Sequence, residues 1–244
     1  MKDSRTTGSL LLEKVAHGYN GLQVVHEVNL AVQPGELVVL VGPSGCGKTT
    51  LLNLLSGFLT PVSGTVRTEG LVRTVYQQDG LFPWLTVGEN IGMGLRGVKD
   101  KGRQERELRE LLELIHLGQF RDHYPHQLSG GMRQRVELAR VVAGDSDILL
   151  MDEPFSALDY QTRIRMRQEL VQLLEKRPRT VVFVTHDIEE AVVLADRVLV
   201  LSQRPTRIVR ELVIQAPRPR NPTDDVVVGA TRVILEELGL QVHR

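Results

Sequence analysis

One stretch leaves the chain few options: Gly42-Pro43-Ser44-Gly45-Cys46-Gly47-Lys48-Thr49-Thr50. It follows Leu37-Val38-Val39-Leu40-Val41, a short apolar run that reads as a fully buried parallel strand. Leu51-Leu52-Asn53-Leu54-Leu55 continues it as a helix that stops at Gly57, a suitable C-cap. The spacing of Gly42, Gly47, Lys48 and Thr49 fits a P-loop, in the strand–loop–helix context that a P-loop requires. Glycines let backbone N–H groups curl around phosphate oxygens, and the helix N-terminus adds partial positive charge. Lys48 is then placed to reach β- and γ-phosphates, and the Thr49 hydroxyl to ligate Mg2+. A turn that merely joined strand to helix would not need Lys and Thr at those positions. The nine residues Gly42, Pro43, Ser44, Gly45, Cys46, Gly47, Lys48, Thr49 and Thr50 therefore predict nucleoside triphosphate binding.

Composition adds mainly exclusions. With 244 residues the chain can bury a real core. Lys plus Arg and Asp plus Glu are 30 each, so no global charge points to nucleic acid. Basic residues cluster in 132–140 and 203–220, and such runs read as solvated faces. The single cysteine rules out an intramolecular disulfide and fits a reducing compartment. Met1 to Ser9 lacks the apolar stretch of a signal peptide, and no apolar run approaches the roughly 18–20 residues that span a bilayer. The expectation is a soluble, cytoplasmic chain whose membrane role, if it has one, comes through a partner.

Leu10 to Val32 is β-leaning and broken by Gly18, Asn20-Gly21 and Pro34-Gly35, which predicts antiparallel strands and turns, with Tyr19 at a turn. Pro61, Gly64 and Gly70 mark a turn-rich passage before the strand-like Val72 to Tyr76. Gln77-Gln78 and the apolar cluster Leu81-Phe82-Pro83-Trp84 follow, and taken alone the cluster reads as a core-packing loop. Leu108, Leu111, Leu112 and Ile115 form one apolar helical face, with Glu105 and Arg109 paired at i, i+4 on the other side.

Ser129-Gly130-Gly131 opens a helix reaching Ala143, as an ordinary N-cap or as a second anion cradle. Ile148-Leu149-Leu150-Met151 is a buried strand ending in Asp152-Glu153, placed beside the P-loop strand where open α/β sheets bind ligands. Asp152 suits Mg2+, and Glu153 suits holding and polarising a water. A helix over Tyr160 to Lys176, a strand over Thr180 to Thr185 and a strand over Arg197 to Leu201 complete the pattern. His186 stands at a strand end, and Asp187 with Glu190 resembles a capping box. Pro217, Pro219 and Pro222 precede a last amphipathic stretch with Ile234, Leu235 and Leu238, free to dock on its own core or on a partner.

In this order, these stretches resemble the ATP-binding subunits of ABC transporters over about residues 10–215. Lys48 and its loop match Walker A, Gln77 the Q-loop glutamine, and Leu128-Ser129-Gly130-Gly131-Met132 the LSGGQ signature with Met132 in place of its Gln. Asp152-Glu153 matches Walker B, Ser156-Ala157-Leu158-Asp159 the D-loop, His186 the switch histidine, and Tyr19 the aromatic that stacks on adenine. The resemblance implies an α/β fold: a P-loop NTPase core over about 1–87 and 144–215 with an antiparallel β subdomain, a helical insert over about 88–143, and a tail over 216–244.

It also implies Mg2+ at Thr49, Gln77 and Asp152, and catalysis by Glu153, His186, Gln77 and Lys48. Ser129, Gly130, Gly131 and Met132 would act in trans on ATP held by a second chain, with Asp159 communicating across the dimer, a homodimer or a pair with a similar subunit. Cys46, at a helix N-terminus beside Lys48, is expected to have a lowered pKa and to block ATP binding when modified.

Leu81 to Val87, with Glu89-Asn90, resembles importers for nitrate, taurine and alkanesulfonates. That points to a peripheral ATPase on the cytoplasmic face of the cell membrane. It would bind ABC transmembrane permease subunits and serve a periplasmic substrate-binding protein indirectly. An exporter or lipid-transporter ATPase and a soluble ABC ATPase are the alternatives. A GTPase would need an Asn-Lys-x-Asp, which the sequence lacks.

Overall fold

The computed structural model describes residues 7–76 and 80–240. Two sheets organise it. β1 (Ser9–Tyr19), β2 (Leu22–Val32) and β4 (Ser63–Glu69) form an antiparallel sheet in the order β2-β1-β4. A six-stranded sheet has the order β5-β6-β7-β3-β8-β9, from β3 (Leu37–Val41), β5 (Val72–Val75), β6 (Ile148–Asp152), β7 (Thr180–Val184), β8 (Arg197–Leu201) and β9 (Ile208–Val213). Its first five strands run parallel, and β9 is antiparallel to β8.

The central strands carry Val, Leu, Ile and Phe almost without interruption because both of their faces are covered. Val39, Val41, Leu149, Met151, Val181 and Phe183 point into one core, shared with α3 (Lys101–Leu114), α4 (Gly130–Val142), α5 (Tyr160–Lys176) and α6 (Ile188–Leu194). Val38, Leu40, Leu150, Val182 and Val184 point into the other, shared with Leu51, Leu52, Leu54 and Leu55 of α1 (Lys48–Leu55) and with Leu10, Leu12, Val28 and Leu30 of the antiparallel sheet. The P-loop helix is thus clamped between the two sheets, with contacts to β2 and β4 on one side and to β6 and β7 on the other.

Several expectations need correction. β6 does not lie beside the P-loop strand: β7 stands between them, pairing with both. The turn-rich passage after Pro61 holds a full strand, β4, which completes the antiparallel sheet although it buries little of its own surface. The basic run 203–220 is not simply a solvated face, since it contains β9 and two arginines turned inward. Glu105 is gripped by Arg121 rather than by Arg109, through two hydrogen bonds of 2.7 and 3.0 Å.

The helical face of Leu108, Leu111, Leu112 and Ile115 is buried as its period demands. α2 (Val87–Gly94) opens with a capping box between Thr86 and Glu89, and it packs on α3 and α4.

The C-terminal helix α7 (Asp225–Glu237) docks on its own chain, against α6 and β9, burying Val227 and Ile234. Two arginines before it serve as the C-terminal cap of α6. Arg218 donates to Leu194 O at 3.1 Å, while buried Arg220 donates to Val192 O at 2.9 Å and Ala195 O at 2.6 Å. These are carbonyls that a helix end leaves without internal partners, at the negative end of its dipole. Arg220 also holds Ala216 O and Ile214 O, fixing the turn that aims α7. Arg220→Ala strands several buried acceptors, at about 1–3 kcal/mol for each group left dry. We expect its melting temperature to fall by at least about 5 °C in calorimetry; a change under about 1 °C would show that the cap is dispensable.

Candidate nucleotide site

The P-loop leaves β3 and turns into α1 through glycines whose backbone only glycine adopts freely. Gly45 has φ +72° and Gly47 φ +120°. A Cβ at Gly47 would also stand 2.6 Å from Thr206 Oγ1, because that residue presses on the loop. Thr206 is fully buried and was not singled out in the sequence. Its hydroxyl donates to Cys46 O, its amide to Val24 O at 2.7 Å, and its carbonyl accepts from His26 N at 3.0 Å. One threonine therefore ties the P-loop to the antiparallel sheet. No motif marks it in the sequence, because its role depends on 160 residues of separation from Cys46.

Lys48 is buried and bends back over the loop, its Nζ donating to Gly42 O at 2.8 Å and Pro43 O at 3.0 Å. Thr49 Oγ1 donates to Asp152 Oδ2 at 2.7 Å. Burial raises the Asp152 pKa above its ordinary value against the pull of that hydrogen bond, with the neighbouring Glu153 charge adding to the rise and Lys48 opposing it. Next to it Glu153 adopts a left-handed backbone with φ +48°, a conformation that non-glycine residues occupy only when held. The amide of Glu153 is pinned to Val184 O at 2.9 Å, across β6 and β7. Its carboxylate Oε2 lies 3.0 Å from His186 Nδ1. A carboxylate only accepts, so this nitrogen carries the hydrogen.

A cleft of about 420 Å³ gathers these groups: Tyr19, Val24, Ser44, Gly45, Gly47, Lys48, Thr49, Thr50, Asp152, Glu153 and Arg204 line it. Tyr19 is half exposed and stands edge-on to His17 at 4.9 Å between ring centroids. His186 does not line the cleft and reaches it only through Glu153. Gln77 lies outside the described residues.

Cys46 corrects an expectation. Its side chain is buried, and burial raises its thiol pKa against the opposing charges of Lys48 and Arg204. A helix N-terminus does not make a reactive thiolate when the sulfur is turned into the apolar core with Leu51 and Leu52.

Ser129 to Met132 and Asp159 lie outside the cleft of their own chain. Ser129 N-caps α4, its Oγ accepting from Met132 N at 3.3 Å, and the Met132 side chain packs partly buried against the core. Asp159 N-caps α5, and its hydrogen bonds to Thr162 lower its carboxyl pKa. Gln134, two positions beyond Met132 and unremarked in the sequence, is buried and links three motifs. Its amide donates to Glu153 O at 3.4 Å, and its carbonyl accepts from Ala157 N at 3.1 Å. Further along α4, Glu137 accepts from Gly80 N at 3.1 Å and Arg140 donates to Gly80 O at 2.7 Å. Asp187 caps α6 through Glu190 N at 3.0 Å. Glu190, expected to return the bond, instead turns inward, 3.8 Å from Arg167 Nε.

A sequence profile of ABC transporters matches residues 25–156. This chain belongs to the ABC transporter family. It is 42% identical over 221 residues, 90% of its own length and 94% of the other's, to the aliphatic sulfonates import ATP-binding protein SsuB 2 of Pseudomonas syringae pv. tomato. A Rhodococcus jostii protein of the same description, SsuB 1, is 42% identical over 92% of this chain and 91% of its own. Among solved structures, the dimeric form of the bacterial ABC transporter cassette MJ0796 superposes with a TM-score of 0.76 at 32% identity, over 85% of this chain and all of the other. Its post-hydrolysis dimer, bound to ADP and Pi, gives 0.74 at 31% identity over the same shares. The fold is therefore that of an ABC ATPase cassette, and the cleft described above occupies the ATPase cassette of this ABC family member.

Two measurements follow from the burial of single groups. Iodoacetamide should modify Cys46 at least about tenfold more slowly in the native chain than in urea, read by mass spectrometry; equal rates would restore the reactive thiolate. Burial raises the Glu190 pKa against the hydrogen bond of Thr185 and the charge of Arg167. The folded chain then holds a proton above the ordinary 4.5 that the unfolded chain has lost. Stability contributed by this group therefore declines as pH rises through that window. Glu190→Gln should flatten that decline in a melting-temperature series from about pH 4.5 upward, and an unchanged slope would refute the burial argument.

Proposed function

We propose that this chain is the ATP-binding and ATP-hydrolysing subunit of an ABC importer for small anions, of the aliphatic sulfonate, taurine or nitrate class, and that it works as a dimer. The observation that carries the ATPase reading is the convergence of Lys48, Thr49, Asp152 and Glu153, from two separate stretches, on one cleft. The importer reading rests on the relatives described as aliphatic sulfonates import ATP-binding proteins, aligned over nearly the whole chain.

Each side chain then has a task. Tyr19 stacks on adenine at the mouth of the cleft, and the amides of the loop from Gly42 to Thr50 cradle the phosphates. Lys48 exchanges its carbonyl partners for β- and γ-phosphate oxygens. Glu153 orients a water on the γ-phosphate and takes its proton as the oxygen–phosphorus bond forms and ADP leaves. His186 holds the Glu153 carboxylate from outside the cleft and acts on the γ-phosphate through it.

Thr49 and Asp152 fit Mg2+. They offer two hard oxygens already in contact at 2.7 Å, and the carboxylate is one whose ionisation burial penalises and a cation would favour. Among the described residues no group of three or more acidic, His or Cys side chains stands ready for a metal. That suits an ion completed by phosphates, water and Gln77 rather than a protein cage. When bound, Mg2+ neutralises charge developing on the phosphates.

The signature faces elsewhere, which is why one chain is insufficient. Ser129 Oγ accepts from Met132 N and keeps its own O–H to donate, and the Gly130 and Gly131 amides precede the first internal helix bonds. These groups would receive the γ-phosphate held by a second chain's P-loop. Met132 contributes backbone and packing there, so the usual Gln is not required. Asp159, adjacent to the same surface, communicates between the chains.

Among the described residues no helix is long and apolar enough to cross a membrane. The likeness to import ATP-binding proteins points to permease subunits, which would hold this chain on the cytoplasmic face and receive substrate from a periplasmic binding protein. Trp84, 70% exposed against Phe82, belongs to the surface offered to them between the core over 1–87 and 144–215 and the helical unit over 88–143. It is not the core-packing residue that its loop alone suggested.

Glu153→Gln should lower turnover by about 10²–10⁴-fold while retaining ATP. In analytical ultracentrifugation that variant should dimerise only with MgATP, and adding Ser129→Arg should return it to monomer. A monomer under all conditions, with ATP bound, would refute the trans assignment.

A further inference from the structure

Arg204 is the residue of the cleft that no motif accounts for. It lines the cavity with Tyr19, Ser44, Gly45 and Lys48. A Cβ built on Gly45 would meet an Arg204 guanidinium nitrogen at 3.7 Å, so the charge hangs directly over the glycine turn of the P-loop. The side chain is exposed, and among the described residues it forms no ion pair or hydrogen bond. Its reach to the P-loop is nevertheless not a matter of chance. The loop that carries it is tied to itself by Ser202, whose amide donates to Arg207 O and whose Oγ accepts from Arg207 N, both at 2.9 Å. It is tied to the antiparallel sheet and to the P-loop by Thr206. A free guanidinium is thus mounted on a rigid base, bolted to the same loop that cradles the phosphates.

We propose that Arg204 is a phosphate ligand, closing the side of the P-loop at Gly45 and adding a charge-assisted, two-pronged contact to the nucleotide's phosphate chain. An arginine suits this better than a lysine because its planar fork matches two phosphate oxygens at once. The inference rests on the nucleotide reading above and deepens it.

Calorimetric titration of MgATP into the full chain, carrying Glu153→Gln to prevent turnover, tests it. Arg204→Ala should raise Kd about tenfold, with Arg204→Lys between the two. The salt dependence of binding, compared at about 0.05 and 0.3 M KCl, should become shallower when the charge is removed. The melting temperature without nucleotide should not change, since the side chain holds nothing else. A Kd for Arg204→Ala within about twofold of the parent overturns the proposal, including the case in which ATP binds normally and only dimerisation is lost. Failure of the parent itself to bind MgATP would instead overturn the nucleotide reading.

Discussion

A lysine ammonium with little solvent contact needs compensation, and Lys48 finds it in backbone carbonyls and in the nearby Asp152. Its direct partners are two neutral carbonyls, Gly42 O and Pro43 O, at a side-chain site only 7% exposed. Much of the surrounding structure is what keeps the charge there. β3 is buried on both faces, α1 is clamped between two sheets, and Thr206 closes the loop from behind. A polyphosphate bound as proposed would supply negative charge at this position.

The acidic side of the cleft follows the same logic with opposite sign. Asp152 is buried and resists ionisation, while Glu153 is bent into a left-handed backbone that aims its carboxylate at both the cleft and His186. Neither is comfortable in isolation. Both sit at the C-terminal end of β6, anchored to its neighbour β7, where the rigid sheet can carry that strain. Gln134 then couples this corner to the helix that begins at Ser129, so the groups that would meet a second chain's nucleotide share a hydrogen-bond path with the groups that would cleave their own.

Residues whose chemistry and spacing are local were legible from the chain alone. The P-loop, the helix over Tyr160 to Lys176, the strand at β8 and the N-cap roles of Ser129 and Asp187 all arise from interactions within a few residues. Residues acting across the fold were not. Thr206, Gln134 and Arg220 have no local signature, since each matters through partners that chain distance hides. Cys46 shows the same limit in reverse: its neighbours in sequence, a lysine and a helix start, argue for an activated thiol, and its neighbours in space bury it.

By itself, then, the sequence determined which groups are candidates for the chemistry, because glycine spacing, a lysine, a hydroxyl and paired carboxylates are the atoms that phosphate and metal binding require. Only the tertiary structure decided their company. It placed β7 between the P-loop strand and the acidic strand, and brought the loop after β8 against the P-loop. It also left Ser129 and its glycines outside the cleft of their own chain. Strand order and helix docking are set by how two apolar cores close around one sheet, a global packing solution that no single stretch contains.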